Sequence, residues 1–523
     1  MTTAATKPRG SRLTVYTPFD LGFLVGAGLS ILLYLFIGQG GFPLAARSGG
    51  REHYYTAAAL SLLHGHLYVP EAFIASECFL VHGRCYGYFG ITPSLLRLPA
   101  VLFTGSSATS SDGFEAAFYV LGFVTAALGL WWLARQLVEL WAPSLWRSRA
   151  WVVGFLLSVA GLGATPLIFL VGRPLVYEEA ILWGVAFALV GLAAVVSVYR
   201  RPRTLTVAVL IAADILAALA RPTVGYTAVL ATLVVGILFV WFPQWLDLAP
   251  SRPPRRWGWY LIVGAFIALL SAPAVIFAKF GTFGVPYKDS ISVQAQPDQL
   301  KALSHPLGID PAVLPTKLFS VLRPDSLDLL RHPPYVELGE LTPTLLPPAT
   351  PVDVNGTWER TSSLTATLPF SAAALVASLV VVGLALKRWR GTSTRNPALL
   401  ITALVLVSAA GAMFMELLYP GETYRYIGDW LPLLAIGGSV GCAAVAAGLP
   451  CPARGRAAPI AVVACALLLL ASQAVIQTAV AIENALVNGG ERPAPCAGPA
   501  DPYGSLGRTF CSSGLVVFPP GAS

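Results

Sequence analysis

Hydrophobic runs long enough to cross a membrane take up most of this chain of 523 residues. Eleven of them have about 17 to 25 residues, the length of helix that spans the hydrocarbon core of a bilayer. They lie near residues 20–38, 114–134, 151–171, 177–198, 204–220, 224–242, 258–278, 368–386, 397–418, 430–448 and 457–481. Only 11% of the residues are charged, against about 25% in soluble domains, so the chain cannot cover a soluble surface of this size. The sequence therefore predicts an all-α polytopic integral membrane protein.

The positively charged residues indicate how these spans are oriented. Lysine and arginine are concentrated in every second connection, for example YRRPR at 199–203, SRPPRRW at 251–257 and KRWRGTSTR at 387–395. Because membrane proteins keep such residues on the cytoplasmic side, eleven spans predict a cytoplasmic N-terminus and an extracytoplasmic C-terminus. The net charge of +8 is divided among these clusters and forms no continuous basic face, which argues against nucleic-acid binding.

The same alternation divides the chain into three parts. Residues 1–19 form a cytoplasmic N-terminal segment, residues 20–486 a transmembrane domain and residues 487–523 an extracytoplasmic tail. Two long outer loops, 39–113 and 279–367, are rich in proline, glycine, aromatic and polar residues. We expect them to form ordered caps with surface-lying helices, because neither has the length and composition of a domain with its own core.

Four of the seven cysteines fall on the predicted outer side. Cys78 and Cys85 share the first outer loop, and Cys496 and Cys511 share the tail. An oxidising compartment would allow each pair to form a disulfide. The other three cysteines lie in spans or in a cytoplasmic turn, where free thiols are expected.

The stretch SGGREHYYTAAALSLLHGHLY, from Ser48 to Tyr68, opens the first outer loop directly after the first span. Its apolar residues recur at intervals of three and four, which predicts an amphipathic helix lying along the membrane surface. Glu52 and His53 would stand at the start of this helix. A carboxylate in that position can take a proton from an acceptor hydroxyl or hold a divalent cation. The alternative is that Glu52 only complements the positive end of the helix dipole.

The first outer loop contains a second candidate surface segment, YGYFGITPSLLRLPAVLF at 86–103. It is apolar along most of its length and carries aromatic residues near its start, at Tyr86, Tyr88 and Phe89. Aromatic side chains are enriched at membrane interfaces, so we expect these three to anchor the segment in the interface.

Charged residues also occur in the short outer turn GRPLVYEEA at 172–180. Arg173, Glu178 and Glu179 stand there between two spans, where a charge is costly unless it is paired or has a function. Arg173 is a candidate for binding an anion such as phosphate. Adjacent residues on a helix point about 100° apart, so we expect one of the two glutamates to face a site shared with Glu52. The alternative is an acidic pair that only favours the start of a helix.

Two later outer turns each contain an arginine at the membrane edge, Arg221 in ARPTVGY and Arg425 in GETYRYIGDWLP. The guanidinium fork matches two phosphate oxygens at once, so both arginines are candidates for binding a phosphate. Structural ion pairs are the alternative. The counter-ion would then be Asp214 for Arg221, and Glu416 or Asp429 for Arg425.

Several of these stretches together resemble bacterial members of the GT-C superfamily, membrane glycosyltransferases that depend on polyprenyl-phosphate sugars. The stretches are REHYYTAAALSLLHGHLY, CYGYFGITPSLLRLPAVLF, GRPLVYEEAILWG, ARPTVGY and TYRYIGDWLPLLAI. They are spread over most of the chain and stand in an order similar to that family's. A cytoplasmic N-terminus and one span come first, then a long outer loop opened by an acidic residue, and then a multispan bundle.

The resemblance implies a GT-C-like bundle of about eleven helices that transfers a sugar from a polyprenyl-phosphate donor to a glycan, lipid or protein acceptor. Transfer would take place on the extracytoplasmic face of the cell membrane, among membrane lipids. The abundance of alanine, and of arginine over lysine, adds a compositional indication of a GC-rich bacterium. That would place the reaction in the assembly of a cell-envelope glycan or glycolipid.

The resemblance also implies roles for particular residues. The family's catalytic acidic residue, usually aspartate, corresponds to Glu52, with His53 as the reserve candidate. Its second acidic element corresponds to Glu178 or Glu179, and its donor-phosphate arginines correspond to those of ARPTVGY and TYRYIGDWLPLLAI. Many members need a divalent cation, Mg²⁺ or Mn²⁺, for which Glu52 and Glu178 are the candidate ligands here.

Two other classes of protein remain open. A transporter or lipid flippase would use the same ionisable residues to line a path, and would spread them through the depth of the membrane. Here nearly all of them gather at the outer edge, with Asp214 as the main exception. A non-catalytic assembly protein could keep the bundle without the chemistry, an option that glutamate in place of the family's usual aspartate leaves open.

Overall fold

The computed structural model describes residues 17–38, 53–74, 77–141, 150–172, 176–243, 255–286 and 397–418, and short pieces at 311, 314, 327–329, 336–338, 429, 432–433, 471–472, 474–479 and 481. These residues are mostly helical. The helices are α1 (Pro18–Gly38), α2 (Tyr54–Leu63), α3 (Thr92–Thr104), α4 (Asp112–Trp141), α5 (Ala150–Ser158), α6 (Phe169–Gly172), α7 (Val176–Arg200), α8 (Thr204–Ala220), α9 (Pro222–Trp241), α10 (Arg255–Phe280) and α11 (Pro397–Leu418). Two short antiparallel hairpins pair β1 (Phe79–Val81) with β2 (Arg84–Tyr86), and β3 (Leu327–Leu329) with β4 (Val336–Leu338).

Five of these helices are long and apolar enough to cross a membrane, namely α1, α4, α7, α9 and α10. Three shorter apolar helices lie within further predicted runs: Ala150–Gly163, Thr204–Ala220 and Ala403–Met415. The described chain is thus consistent with a multi-pass membrane protein, as predicted. The count of eleven spans stays a prediction, because the run at 368–386 and most of those at 430–448 and 457–481 lie outside the described residues.

Helix α7 is the most buried of the five candidate spans, with 83% of its most apolar stretch inside the protein. It packs against α4, α8 and α9. A glycine lets α4 and α7 approach each other closely. A methyl group on Gly129 of α4 would lie 2.9 Å from Leu189 and Val190 of α7. Because lipid is as apolar as a leucine side chain, such close packing is a main source of attraction between spans.

Charged residues distinguish the two ends of this bundle. At one end, Asp20 in the first turn of α1 accepts hydrogen bonds from Trp131 and Arg135 near the end of α4. At the same end, Arg200 in the last turn of α7 pairs with Glu139 of α4 at 2.8 Å. The starts of α4 and α7 are therefore together at the opposite end, and the first outer loop packs there.

Helices α8 and α9 form a tight antiparallel hairpin. Helix α8 ends at Ala220, Arg221 is extended (φ −148°, ψ 101°), and α9 begins at Pro222, a residue type that suits the first position of a helix. Gly225 in the first turns of α9 lets the backbone approach that of Ala218 in α8. Arg221 alone therefore separates the two helices and lies at their junction.

Replacing Gly225 with alanine is expected to force α8 and α9 apart. The added methyl group would lie 2.3 Å from the backbone nitrogen of Ala218, and backbone atoms cannot move aside as a flexible side chain can. Overpacking of this kind costs about 1–3 kcal/mol, more than the roughly 1 kcal/mol that alanine gains over glycine in a helix. Thermal unfolding in detergent should show a lower midpoint. Gly28→Ala on α1, where no atom lies within 4 Å of the new methyl group, should not lower it, and equal midpoints for the two variants would contradict the close approach.

The described part of the predicted first outer loop, residues 53–74 and 77–110, forms a cap at the end of the bundle where α4 and α7 start. Helix α2 packs on α3. The β1–β2 hairpin turns at His82 and Gly83, both of which have positive φ, as two-residue hairpin turns require. Cys78 and Cys85 form a disulfide across this hairpin, with their Cα atoms 5.4 Å apart. The other predicted pair, in the tail, lies outside the described residues.

A buried lysine of the bundle forms hydrogen bonds with this cap. Lys279, the penultimate residue of α10, is buried. Its Nζ donates hydrogen bonds to the carbonyl of Gly87 at 2.8 Å and to that of Phe89 at 2.9 Å. These carbonyls lie just after β2, so the lysine fixes the segment that leads into α3.

The three aromatic residues predicted to anchor this segment in the membrane interface pack against helices of the bundle. Phe89 is buried, and Tyr86 and Tyr88 are half-buried. The ring of Tyr86 contacts Phe280 at the end of α10, and the rings of Tyr88 and Phe89 contact Tyr177 in the first turn of α7. Aromatic side chains suit a protein core as well as an interface, and anchoring of these residues in the membrane interface stays a prediction.

Candidate functional site

Arg97 is the centre of a buried ion-pair cluster at the capped end of the bundle. It stands on α3, and its side chain is completely buried. Nη1 donates to Glu179 Oε1 at 2.5 Å, and Nη2 donates to Glu179 Oε2 at 3.0 Å and to Glu115 Oε2 at 2.6 Å. One guanidinium group therefore joins α3 to the first turns of α4 and α7.

The same cluster includes the start of α2. Arg97 Nε donates to Thr56 Oγ1 at 3.1 Å, and the Thr56 hydroxyl donates in turn to Glu115 Oε1. His53, directly before α2, has its Nδ1 3.6 Å from Glu115 Oε1. Four helices therefore meet at a single buried set of polar groups, which we call the Arg97 cluster: His53, Thr56, Arg97, Glu115 and Glu179.

Helix α2, which the sequence predicted to lie along the membrane surface, is buried in its first half and exposed at its end, at Leu63. The buried residues of this helix are Tyr54, Tyr55, Thr56, Ala57 and Ala59. Tyr55 donates its hydroxyl hydrogen to the carbonyl of Val176 at 2.9 Å, and Thr56 faces the Arg97 cluster. The apolar spacing predicted the helix correctly, but protein covers both sides of its first half, whereas His64 directly after it is exposed.

The Arg97 cluster keeps its arginine charged. Burial alone would lower the pKa of Arg97, because a buried cation loses its hydration. The carboxylates of Glu179 and Glu115 outweigh that effect and hold the pKa of Arg97 above its ordinary value. The guanidinium carbon also lies 4.5 Å from the ring centroid of Phe118 and 5.7 Å from that of Tyr55. The guanidinium is thus enclosed by carboxylates and ring faces.

Arg221 forms a second ion pair, at the junction of α8 and α9. Its Nε donates to Asp429 Oδ2 at 3.0 Å. The hydroxyl of Thr223, in the first turn of α9, donates to the same oxygen at 3.1 Å. The side chain of Asp429 is completely buried, whereas that of Arg221 is 19% exposed.

This second ion pair lies close to the Arg97 cluster. A methyl group on Gly184 of α7 would lie 2.7 Å from the Cβ of Arg221, and Gly184 follows Glu179 by about 1.4 helical turns. Tyr55 lies within the field of both arginines. Burial and the charge of Glu179 raise the pKa of Tyr55, and the charges of Arg97 and Arg221 oppose that rise. The two ion pairs therefore share one electrostatic environment.

Asp214 is not the counter-ion of Arg221, contrary to one interpretation of the sequence. It is completely buried and accepts a hydrogen bond from the hydroxyl of Thr232 in α9 at 2.6 Å. A methyl group on Gly191 of α7 would lie 2.8 Å from its Oδ1. Arg221 pairs with Asp429, which was one of two candidate counter-ions, with Glu416, for Arg425. Spacing along α8 could not settle this, because the pairing depends on which segments stand opposite each other.

The described residues bring some of the predicted site residues together. Those at the capped end are His53, Glu178, Glu179 and Arg221. Those outside the described residues are Glu52, Arg173 and Arg425. Glu178 and Glu179 are both buried, and Glu179 uses both carboxylate oxygens to bind Arg97. Glu179 therefore serves a structural ion pair.

Arg97 and Glu115 are the site residues that the sequence interpretation missed. Arg97 is the single charge in the apolar stretch ITPSLLRLPAVLF, and such a charge is costly near a membrane unless it is paired. Glu115 stands at the start of a span on the same predicted side as Glu178 and Glu179. That coincidence of one arginine and three carboxylates at neighbouring span ends was the signal available in the sequence.

The described part of the chain contains no group of three or more His, Cys, Asp or Glu residues placed to hold a metal ion. Glu115 and Glu179 do not fit that purpose, because their carboxylates are bound to Arg97. Of the two predicted ligands, Glu178 is described and Glu52 is not. The divalent cation stays a prediction, and we assign no step of a reaction to it.

Comparison with known proteins identifies no family for this chain. No protein-family model matches the sequence, and no curated protein matches it. The resemblance to the GT-C superfamily therefore stays a prediction, and the function has to be argued from the chemistry of the capped end.

Proposed function

We propose that this protein is a membrane glycosyltransferase that moves a sugar from a polyprenyl-phosphate donor to an acceptor hydroxyl on the extracytoplasmic face. One observation supports the proposal most strongly. His53, which follows Glu52 in the sequence, lies 3.6 Å from Glu115 at the start of α4, at the end of the bundle where Arg221 precedes α9. A carboxylate that accepts a proton and an arginine that binds phosphate are the groups that such a transfer needs at the membrane edge.

In the proposed reaction, Glu52 takes the proton of the acceptor hydroxyl. The acceptor oxygen forms a bond to the anomeric carbon as the bond from that carbon to the phosphate oxygen breaks, so the configuration is inverted. The electron pair of the broken bond leaves with the polyprenyl phosphate. Arg221, together with Arg425, stabilises the charge that grows on the phosphate, an electrostatic effect that is usually the largest single contribution to catalysis. His53 is the reserve candidate for the base.

The two glutamates of α7 have different roles in this proposal. Both carboxylate oxygens of Glu179 accept hydrogen bonds from Arg97. Without Glu179, the buried guanidinium of Arg97 would lose one of its two carboxylate partners. We therefore assign Glu179 to the scaffold and Glu178 to the second acidic element of the site. Arg173, which precedes α7 in the chain, is a third candidate for the donor phosphate.

The proposed enzyme has a GT-C-like bundle of about eleven spans, a cytoplasmic N-terminus and an extracytoplasmic C-terminus. The five candidate spans support a multi-pass protein. The orientation is proposed from the sequence, in which lysine and arginine are concentrated in every second connection. Positive charge favours the cytoplasmic side, so the capped end would face outwards, as assembly of a cell-envelope glycan requires.

Sealed liposomes that contain the purified full chain distinguish this function from the alternatives. The liposomes would carry a set of polyprenyl-phosphate sugars and receive glycan and lipid acceptors, and mass spectrometry would follow donor and product. We expect the donor to be converted to polyprenyl phosphate and the acceptor to gain the sugar. A flippase would move the intact donor between leaflets, and a non-catalytic assembly protein would leave the donor intact and in place. Either result would count against the transferase.

A further inference from the structure

We infer that Asp429 is an internal competitor for the lipid phosphate: its carboxylate occupies the phosphate site at Arg221, and an incoming phosphate group displaces it. The inference depends on the proposed function only in assigning that site to the donor and its product.

The groups that bind Asp429 are those that bind phosphate oxygens. Arg221 Nε and the hydroxyl of Thr223 both donate to Asp429 Oδ2, at 3.0 and 3.1 Å. They flank the start of α9, a helix of 20 residues, and the start of a helix attracts anions through its dipole and its unpaired backbone N–H groups. The carboxylate of Asp429 therefore stands where an external oxyanion would be stabilised.

Only one of the two carboxylate oxygens of Asp429 has hydrogen-bond partners among the described residues. Its side chain is completely buried, and its Oδ1 has no hydrogen-bond partner within the part of the chain that the structure describes. A buried polar atom without a partner costs free energy. A phosphate group has more oxygens to offer the same donors and carries up to two negative charges, so it can replace the carboxylate at Arg221 and Thr223.

The two arginines at the capped end differ in whether a ligand can reach them. Arg97 is completely buried, and it binds two carboxylates through three hydrogen bonds and the hydroxyl of Thr56 through a fourth. The side chain of Arg221 is 19% exposed. A ligand can therefore reach Arg221 but not Arg97, and we assign the exchange of anions to the Arg221–Asp429 pair.

Binding of polyprenyl monophosphate to the full-length protein tests this inference. Asp429→Asn keeps an oxygen that can accept from Arg221 and Thr223 but removes the competing charge. We expect the variant to bind polyprenyl phosphate with a Kd about tenfold lower or more, because a like charge beside the site opposes binding. Asp214→Asn, which changes the other completely buried aspartate of the α8–α9 region, should leave the Kd unchanged.

Inorganic phosphate serves as a second probe in the same titrations. Tighter binding of the lipid phosphate alone supports exchange with a lipid headgroup, and tighter binding of both supports exchange with any phosphate. An unchanged or raised Kd for both probes overturns the inference, because Asp429 would then be a structural counter-ion. If Asp429→Asn does not fold, Asp429→Ser is measured instead, and failure of both variants to fold also overturns it.

These titrations use no sugar, so they can fail independently of the proposed function. Tighter phosphate binding by Asp429→Asn without any sugar transfer by the wild type would support the inference and contradict the transferase. Sugar transfer by the wild type, without tighter phosphate binding by the variant, would support the transferase and contradict the inference.

Discussion

Replacing Arg97 with methionine should leave little folded protein. Methionine fills a similar length of space without a charge, so the buried carboxylates of Glu115 and Glu179 would lose the cation that they share. Removing one partner of a buried ion pair costs about 3–5 kcal/mol, a large part of the 5–15 kcal/mol, roughly, that stabilises a typical protein. The measurements are the yield of monodisperse protein and the midpoint of thermal unfolding in detergent.

Two further variants show whether the cause is the unpaired charge. Arg200→Met removes an arginine that pairs with Glu139 at the other end of the bundle, where both side chains are partly exposed, and should cost about 1 kcal/mol or less. Adding Glu115→Gln and Glu179→Gln to Arg97→Met removes the stranded charges and should recover part of the lost stability. A stable Arg97→Met protein would contradict the structural role of the cluster, as would a triple variant no more stable than the single one.

Replacing Glu52 with glutamine should lower the rate of sugar transfer by about 10²–10⁴-fold, the usual contribution of a general base. Glutamine keeps the shape of the side chain, but its amide cannot take the proton of the acceptor hydroxyl. Binding of the donor should change little, because Arg221 holds the phosphate in the proposed site. Single-turnover transfer at saturating donor measures the first effect, and a separate titration of the donor measures the second.

The control for this prediction is another acidic residue of the same loop. Glu71 is exposed in a short 3-10 turn, Glu71–Phe73, and Glu71→Gln should transfer at the rate of the wild type. His53→Gln should have a smaller effect than Glu52→Gln. A larger loss of rate in His53→Gln than in Glu52→Gln would identify His53 as the base. Transfer at the wild-type rate by both variants would show that neither residue takes part in the reaction.

The membrane-spanning helices could be predicted from the sequence, because their length and apolarity are local properties. Most ends of the five candidate spans agree with the predicted runs to within a few residues. Arg221 lies at a helix junction, between two runs that the sequence separated at 220 and 224. The cap could not be predicted in the same way. Tyr54, Tyr55 and Phe89 could have faced lipid or protein, and only the packing of the first outer loop on α7 and α10 decides between the two.

The candidate site was predictable in its location but not in its pairing. Several acidic and basic residues at the ends of apolar segments indicated a charged corner on one side of the membrane. Arg97, however, binds Glu115 and Glu179 across 18 and 82 residues, and Arg221 binds Asp429 across 208 residues. No spacing within one helix encodes such contacts, so the sequence could not tell a scaffold carboxylate such as Glu179 from one available for catalysis.

A structure of the full chain bound to polyprenyl phosphate would show whether Arg221 and Glu52 belong to one site. We expect phosphate oxygens within about 3 Å of the Arg221 guanidinium, with the Glu52 carboxylate facing the same cavity. A phosphate bound away from Arg221 would contradict this expectation. So would a Glu52 carboxylate more than about 10 Å from the phosphate, beyond the reach of a base acting directly or through one water.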